Sequence, residues 1–296
     1  MSDTPRIDCV AAADARLGES PVWDSEAGLL WWVDIGGRAV HRYDPVSNRD
    51  EETSVSVTPA ALAVRERGGL VLATDDGFWA FNPDQGRISR LAPDPEPDLP
   101  HNRLNDSRCD RQGRFWAGSM HDPTSDKVAA GRLYRLDHDL SVSTFGEGLG
   151  VSNGLAFSPD GRTMYHADTW AETVWTYDYD PDGGVPSRRR VFAEFHDLEG
   201  RPDGAAVDES GCYWVALARG GQIVRVTPRG ERDRVVSFPV RAPTMVAFGG
   251  PGLDTMYVTT MGSGAVGPDA ARPGLDGGLF AFDPGCRGLP EPGFAG

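Results

Sequence analysis

Six segments of this chain share one grammar: a short apolar run, a glycine-containing turn, a longer β-rich run, and a third run that often closes in Asp-Pro. The first reads SPVWDSEAG, LLWWVDI, AVHRYDP; the fourth reads GLAFSPDG, TMYHADT, TVWTYDYDP; the fifth reads GAAVDESG, CYWVALA, QIVRVTP. Aligned on the last apolar residue of the first run, the copies fall on Trp23, Val64, Cys109, Phe157, Val207 and Phe248, at steps of 41, 45, 48, 50 and 41 residues. A period of about 40–50 residues with several strands per unit is the mark of a propeller blade. A β-sandwich of regular hairpins would not repeat in register in this way. Copies one to five each carry a fourth, polar-apolar run, such as EETSVSVT or RVVSFP, and the sixth has none before the sequence ends. The N-terminal RIDCVAA is the segment that can supply it and close the ring. The expected fold is therefore all-β: a six-bladed propeller of four-stranded blades, forming a single domain over residues 1–296.

Composition fits that architecture and narrows the partners. Thirty-seven Gly and 23 Pro, with no collagen-like period, supply many tight turns between short strands. A net charge of −15 opposes binding to a phosphate backbone, so no nucleic-acid partner is expected. The four cysteines, Cys9, Cys109, Cys212 and Cys286, are too scattered for a metal pair and read as reduced thiols. The N-terminus lacks an apolar signal region, and no apolar run nears the ~20 residues a bilayer demands. A cytoplasmic protein without a membrane partner, monomeric or weakly homo-oligomeric, is the expectation. One stretch, APDPEPDLPHNRLND (92–106), reads as a long Pro-rich loop opening blade three, where function often sits.

Four positions before each alignment point stand Glu19, Ala60, Asn105, Asn153, Asp203 and Thr244. Equivalent positions in a propeller lie on a ring around the central channel. These precede the expected innermost strands, so the ring should sit at one mouth. Five of the six carry side-chain oxygen and none is His, Cys, Lys or Arg, a hard-oxygen set suited to Ca²⁺, Mg²⁺ or Mn²⁺. Asn153-Gly154 alone would be a turn, as Asn-Gly commonly is. Glu19 has no such excuse, because Glu is a poor turn former and ESPVW offers no glycine. A metal at such a ring can polarise a carbonyl and acidify a water, and a neighbouring carboxylate can act as general base. Arg103, two residues before Asn105, can offer forked hydrogen bonds to substrate oxygens, or else pair with surface acids. His41, His138, His166 and His196 occur singly and read as structural or surface residues. The recurring Trp31, Trp79, Trp116, Trp175 and Trp214 read as packing between blades, while Trp170 is the aromatic expected to reach the mouth.

GESPVW (18–23), RLNDSRCDRQGRFWAGSM (103–120), SNGLAFSPDG (152–161), PDGAAVD (202–208) and PTMVAFGGPGLDTMYVT (243–259) together resemble the senescence marker protein/gluconolactonase/luciferin-regenerating enzyme family, from about residue 16 to the C-terminus. The resemblance implies a six-bladed propeller holding one divalent metal ion (Ca, Zn, Mn, Mg or Fe(II)) in its channel and hydrolysing a sugar lactone. It places the metal ligands on Glu19, Asn153 and Asp203, gives Asp203 the further role of base, and puts substrate contacts on Arg103 and Asn105. Ser107 stands where the family block usually has Gly, and the 121–131 stretch matches no family contact; His121 and Asp122 in it border the expected mouth. Two other functions compete: an esterase or organophosphate hydrolase of the paraoxonase type, which would want a ring His and an apolar pocket, and a non-enzymatic calcium-binding regulatory propeller.

Overall fold

The computed structural model describes residues 5–122, 126, 128–266 and 269–296, so part of the 121–131 stretch lies outside the described residues. The chain begins with β1 (Asp8–Ala11) and then builds blades in order. Blade one is β2 (Gly18–Asp24), β3 (Leu29–Asp34), β4 (Ala39–Asp44) and β5 (Arg49–Ser54). Blade two is β6 (Pro59–Val64), β7 (Leu70–Thr74), β8 (Gly77–Asn82) and β9 (Arg87–Ala92). Blade three is β10 (Asn102–Cys109), β11 (Phe115–His121), β12 (Gly131–Leu136) and β13 (Val142–Leu149). Blade four is β14 (Ser152–Phe157), β15 (Thr163–Asp168), β16 (Thr173–Asp180) and β17 (Val185–Glu194). Blade five is β18 (Arg201–Val207), β19 (Tyr213–Ala218), β20 (Gln222–Val226) and β21 (Arg232–Ser237). Blade six is β22 (Pro243–Gly249), β23 (Thr255–Thr260) and β24 (Leu279–Phe282), with the short α1 (Ser263–Val266) between the last two. Its fourth strand is β1, which pairs antiparallel with β24 through Asp8↔Ala281 and Cys9↔Phe280.

Position within a blade dictates composition. The inner two strands are buried on both faces, so β7 reads LVLAT and β19 reads YWVALA. The outermost strands face solvent along an unpaired edge, and β5 reads RDEETS and β21 reads RDRVVS, charge that blocks edge-to-edge pairing. The core is not one mass but six, each lying between consecutive blades. Residues of one inner strand alternate between two of them: Ala205 and Val207 of β18 face blade four, whereas Ala206 faces blade six. Trp31, Trp116 and Trp214 fill three of these interfaces. Trp175 does not; it lies partly exposed beneath the Arg189 guanidinium.

Three expectations change at the channel. The ring residues do not precede the inner strands but lie inside them, and every inner strand breaks register at that spot: between Glu19 and Val22, Pro59 and Ala61, Leu104 and Ser107, Asn153 and Ala156, Pro202 and Ala205, and Pro243 and Val246. A bulge re-aims a side chain that pleat alone would send into an interface. Asn153-Gly154 is therefore part of a strand, not a turn, and Gly154 adopts φ +60° at the bulge. Likewise the 92–106 loop ends at Pro100-His101, so Arg103 and Asn105 belong to β10. Ser107 adopts no left-handed backbone there, which is why no glycine is needed.

A feature with no sequence signal occupies the other end of the channel. After β24 the chain runs back across the far ends of the inner strands. Gly288 N–H donates to Leu253 O (2.8 Å), Glu209 N–H to Arg287 O (2.8 Å), Phe294 N–H to Val64 O (2.7 Å) and Ala295 N–H to Gly113 O (3.0 Å). Phe294 itself is fully buried between blades two and three.

Candidate metal and active site

The bulges bring Glu19, Asn105, Asn153 and Asp203 together at the mouth opposite this tail. Equivalent positions sit level across blades: Asn105 Nδ2 donates to Asn153 Oδ1 at 3.1 Å and to Ser152 O at 2.9 Å. Asn153 Nδ2 donates to Thr169 Oγ1 (2.8 Å), whose hydroxyl donates on to Pro202 O (2.8 Å), beside Asp203. This chain fixes the amide orientation, turning Asn153 Oδ1 away from Thr169 and toward Asn105. Both amide hydrogens of Asn105 are thereby spent on β14, and its Oδ1 keeps a second lone pair beside the bond from Arg103.

Arg103 is held from two sides. Its Nη1 donates to Asn105 Oδ1 (2.7 Å) and Leu104 O (3.1 Å), and its Nε to Asp122 Oδ2 (3.0 Å). Nη2 takes part in none of these bonds. Asp122 thus anchors the arginine, so the surface-acid pairing expected for it is present alongside its bond to Asn105. Beside it at the same end, His121 lies against His101 with ring centroids 5.8 Å apart and within 3.6 Å of Asp126. Trp170, past the end of β15, reaches the same end and packs over Gly150. Ala60 is buried and contributes no oxygen. Thr244 is fully buried with its hydroxyl committed to Gly18 O (2.6 Å) and Thr259 Oγ1 (2.8 Å), so it ties blades six and one rather than offering a ligand.

The electrostatics of the remaining oxygens are unbalanced. Asp203 is buried and Glu19 is partly so, and among the described residues neither forms an ion pair. Loss of solvation pushes the Glu19 carboxyl well above the usual carboxylate range, and the charges of Asp203 and Asp106 push it further. Asp203 moves the same way, chiefly by burial and then by Asp106, while Arg103 and the Gly204 N–H pull back. Asp106 was not singled out from the sequence. It is a third buried carboxylate, raised to about 6 by burial against the opposing pull of Arg108 and three backbone N–H groups. Its one sequence signal was an acid adjacent to a ring position inside an inner strand.

Two desolvated carboxylates and one oriented amide oxygen, with no direct ion pair among the described residues and only Arg103 nearby in charge, suit a hard divalent ion, which would supply the missing positive charge. Among the described residues no three of His, Cys, Asp and Glu gather as a metal site. The set here is two acids and an amide, so Glu19, Asp203 and Asn153 Oδ1 are the groups that fit such an ion.

A six-bladed β-propeller with two carboxylates and two amides gathered at one channel mouth is the class that fold and site define. Residues 17–262 match the profile of the SMP-30/Gluconolactonase/LRE-like region. The chain belongs to this family. It is 38% identical to a 6-deoxy-6-sulfogluconolactonase of Pseudomonas putida over the whole of both chains. It is 36% identical to a regucalcin of Xenopus laevis, covering 98% of this chain and 99% of that one. Among solved structures it superposes on a calcium-binding protein, regucalcin, of Agrobacterium tumefaciens with a TM-score of 0.88 and 27% identity, over 97% and 96% of the two chains.

Proposed function

We propose that this protein opens a sugar lactone to its aldonic acid by metal-assisted hydrolysis. The observation that carries the reading is the pair of unpaired carboxylates, Glu19 and Asp203, held beside the oriented Asn153 oxygen at the open mouth. Relatives named for lactone hydrolysis support the substrate class, the sulfogluconolactonase above among them. A divalent ion bound by Glu19, Asn153 and Asp203 would polarise the lactone carbonyl and stabilise the oxyanion that develops there. Calcium is one candidate, since the Agrobacterium relative is described as calcium-binding. The chain's own residues do the rest. Asp203 accepts the proton of the attacking water as its oxygen bonds to the carbonyl carbon. The ring C–O bond breaks, and the ring oxygen leaves as a hydroxyl of the product by taking that proton from Asp203, which restores the carboxylate. Arg103, through Nη2, and Asn105, through Oδ1, hold the sugar hydroxyls, and their mutual bond fixes their spacing.

A polyol-binding edge of Arg and Asn favours sugar lactones over aryl esters. Proton release measured on a panel of aldonolactones and aryl esters tests this. Aldonolactones should be hydrolysed and aryl esters should not, and Asp203→Asn should lose about 10²–10⁴-fold of the lactonase rate, the range for removing a general base. Full activity in Asp203→Asn, or preference for aryl esters, would remove the mechanism.

A further inference from the structure

Behind the ring, blade three sends two more charged side chains into the channel, and both grip backbone of the blades that carry the ligands. Asp106 Oδ2 accepts the Leu155 N–H at 2.8 Å, and Arg108 Nε donates to the Leu155 carbonyl at 3.3 Å. Leu155 is two residues past Asn153. Arg108 Nη2 donates to the carbonyl of Ala205, two residues past Asp203. These N–H and C=O groups line the inner edge of the innermost strands, where no further strand exists to pair them. The third guanidinium nitrogen, Nη1, sits 3.0 Å from Glu291 of the C-terminal tail, an ion pair rather than an aligned hydrogen bond. Arg108 is buried, and the cavity beside it, bounded by Cys109, Ala156, Val207 and Glu291, holds only about 10 Å³. That leaves room for one water at most.

We propose that Asp106 and Arg108 form a positioning clamp that sets the spacing of Asn153 and Asp203, with the C-terminal tail, through Glu291, as its back wall. The tail is then part of the metal site although it lies at the opposite end of the channel. The proposal rests on Glu19, Asn153 and Asp203 being the ligands. A guanidinium is required because its planar fork reaches two carbonyls on different strands and a carboxylate together; an ammonium satisfies one direction at a time.

The test compares wild type, Arg108→Lys and Glu291→Gln, each stripped of metal and checked for cooperative melting. Mn²⁺ is titrated into each and the free ion read by electron paramagnetic resonance, independently of turnover. Arg108→Lys should weaken Mn²⁺ binding about 10–100-fold, the range for groups that orient ligands, and Glu291→Gln should weaken it less but in the same direction. Lactone kinetics should then show kcat falling with KM little changed, since neither residue touches substrate. Folded variants that bind Mn²⁺ as wild type does overturn the clamp. Should Arg108→Lys fail to fold, Glu291→Gln decides alone, weaker binding supporting the clamp and unchanged binding overturning it. Wild type that takes up no Mn²⁺ removes the ligand reading beneath the proposal, a result distinct from tight binding indifferent to either substitution.

Discussion

At the scale of single residues, the site is a place where the fold accepts an unfavourable arrangement. Glu19 and Asp203 repel one another in a poorly solvated channel, and the charge of Arg103 offsets this only in part. Neutralising one should therefore help the metal-free fold while harming the site. Glu19→Gln is expected to raise the stability of chelator-treated protein by about 0.5–2 kcal/mol, as relief of functional strain commonly does, and to abolish high-affinity divalent binding. Calorimetry with and without chelator reads both effects; a variant less stable than metal-free wild type would contradict the account. His166 gives a second residue-scale prediction. It is buried on β15 with Nε2 2.7 Å from Ser152 Oγ, and burial lowers its pKa from 6.5 to about 4 despite Asp168. Between those values the unfolded chain holds the extra proton, so this contribution to stability is whole above pH 6.5 and is lost as pH falls toward 4. The loss is on the order of 3 kcal/mol. Denaturant titrations should show the stability gap between wild type and His166→Gln shrinking across that window; a gap independent of pH would contradict it.

At the scale of the strand, the bulge is the device that turns a packing element into a site. Residues after it alternate between two inter-blade cores, and the one at it faces the axis. Gly154 shows what the device needs: its φ is +60°, and a Cβ there would lie 2.2 Å from the Tyr213 hydroxyl and 3.0 Å from the Ala167 Cβ. Gly154→Ala is expected to cost about 2–4 kcal/mol through backbone strain and overpacking, and to weaken divalent binding by displacing Asn153. Thermal melts and metal titration check it, and a wild-type melt would mean the bulge is more plastic than described. This element also marks what the sequence could tell. The repeat placed the six inner strands, because each blade needs the same apolar pattern to pack on its neighbours. It put Glu19, Asn153 and Asp203 in register for the same reason. It could not show the bulge, which depends on pairing between strands, and so Asn153-Gly154 read as a turn and Arg103 as a loop residue. Thr244 was read by type as an oxygen donor, whereas its hydroxyl is consumed by Gly18 O and Thr259.

At the scale of the molecule, the account joins a ring to a plug. Blade six takes its outer strand from the N-terminus, and the C-terminal tail crosses the inner strands of blades six, five, two and three. The tail was invisible in the sequence because its role lies in backbone bonds, one ion pair and a single buried ring, Phe294, none of which leaves a periodic pattern. Glu19, Asn153 and Asp203 lie at the mouth opposite the tail. Turnover should then depend on whatever ion those three groups hold. The direct test is proton release from aldonolactones by protein stripped with chelator, verified free of metal, and then given each divalent ion in turn. The account predicts no turnover above background when stripped and recovery with at least one hard divalent ion; lactone opening at full rate by the verified metal-free protein would contradict it.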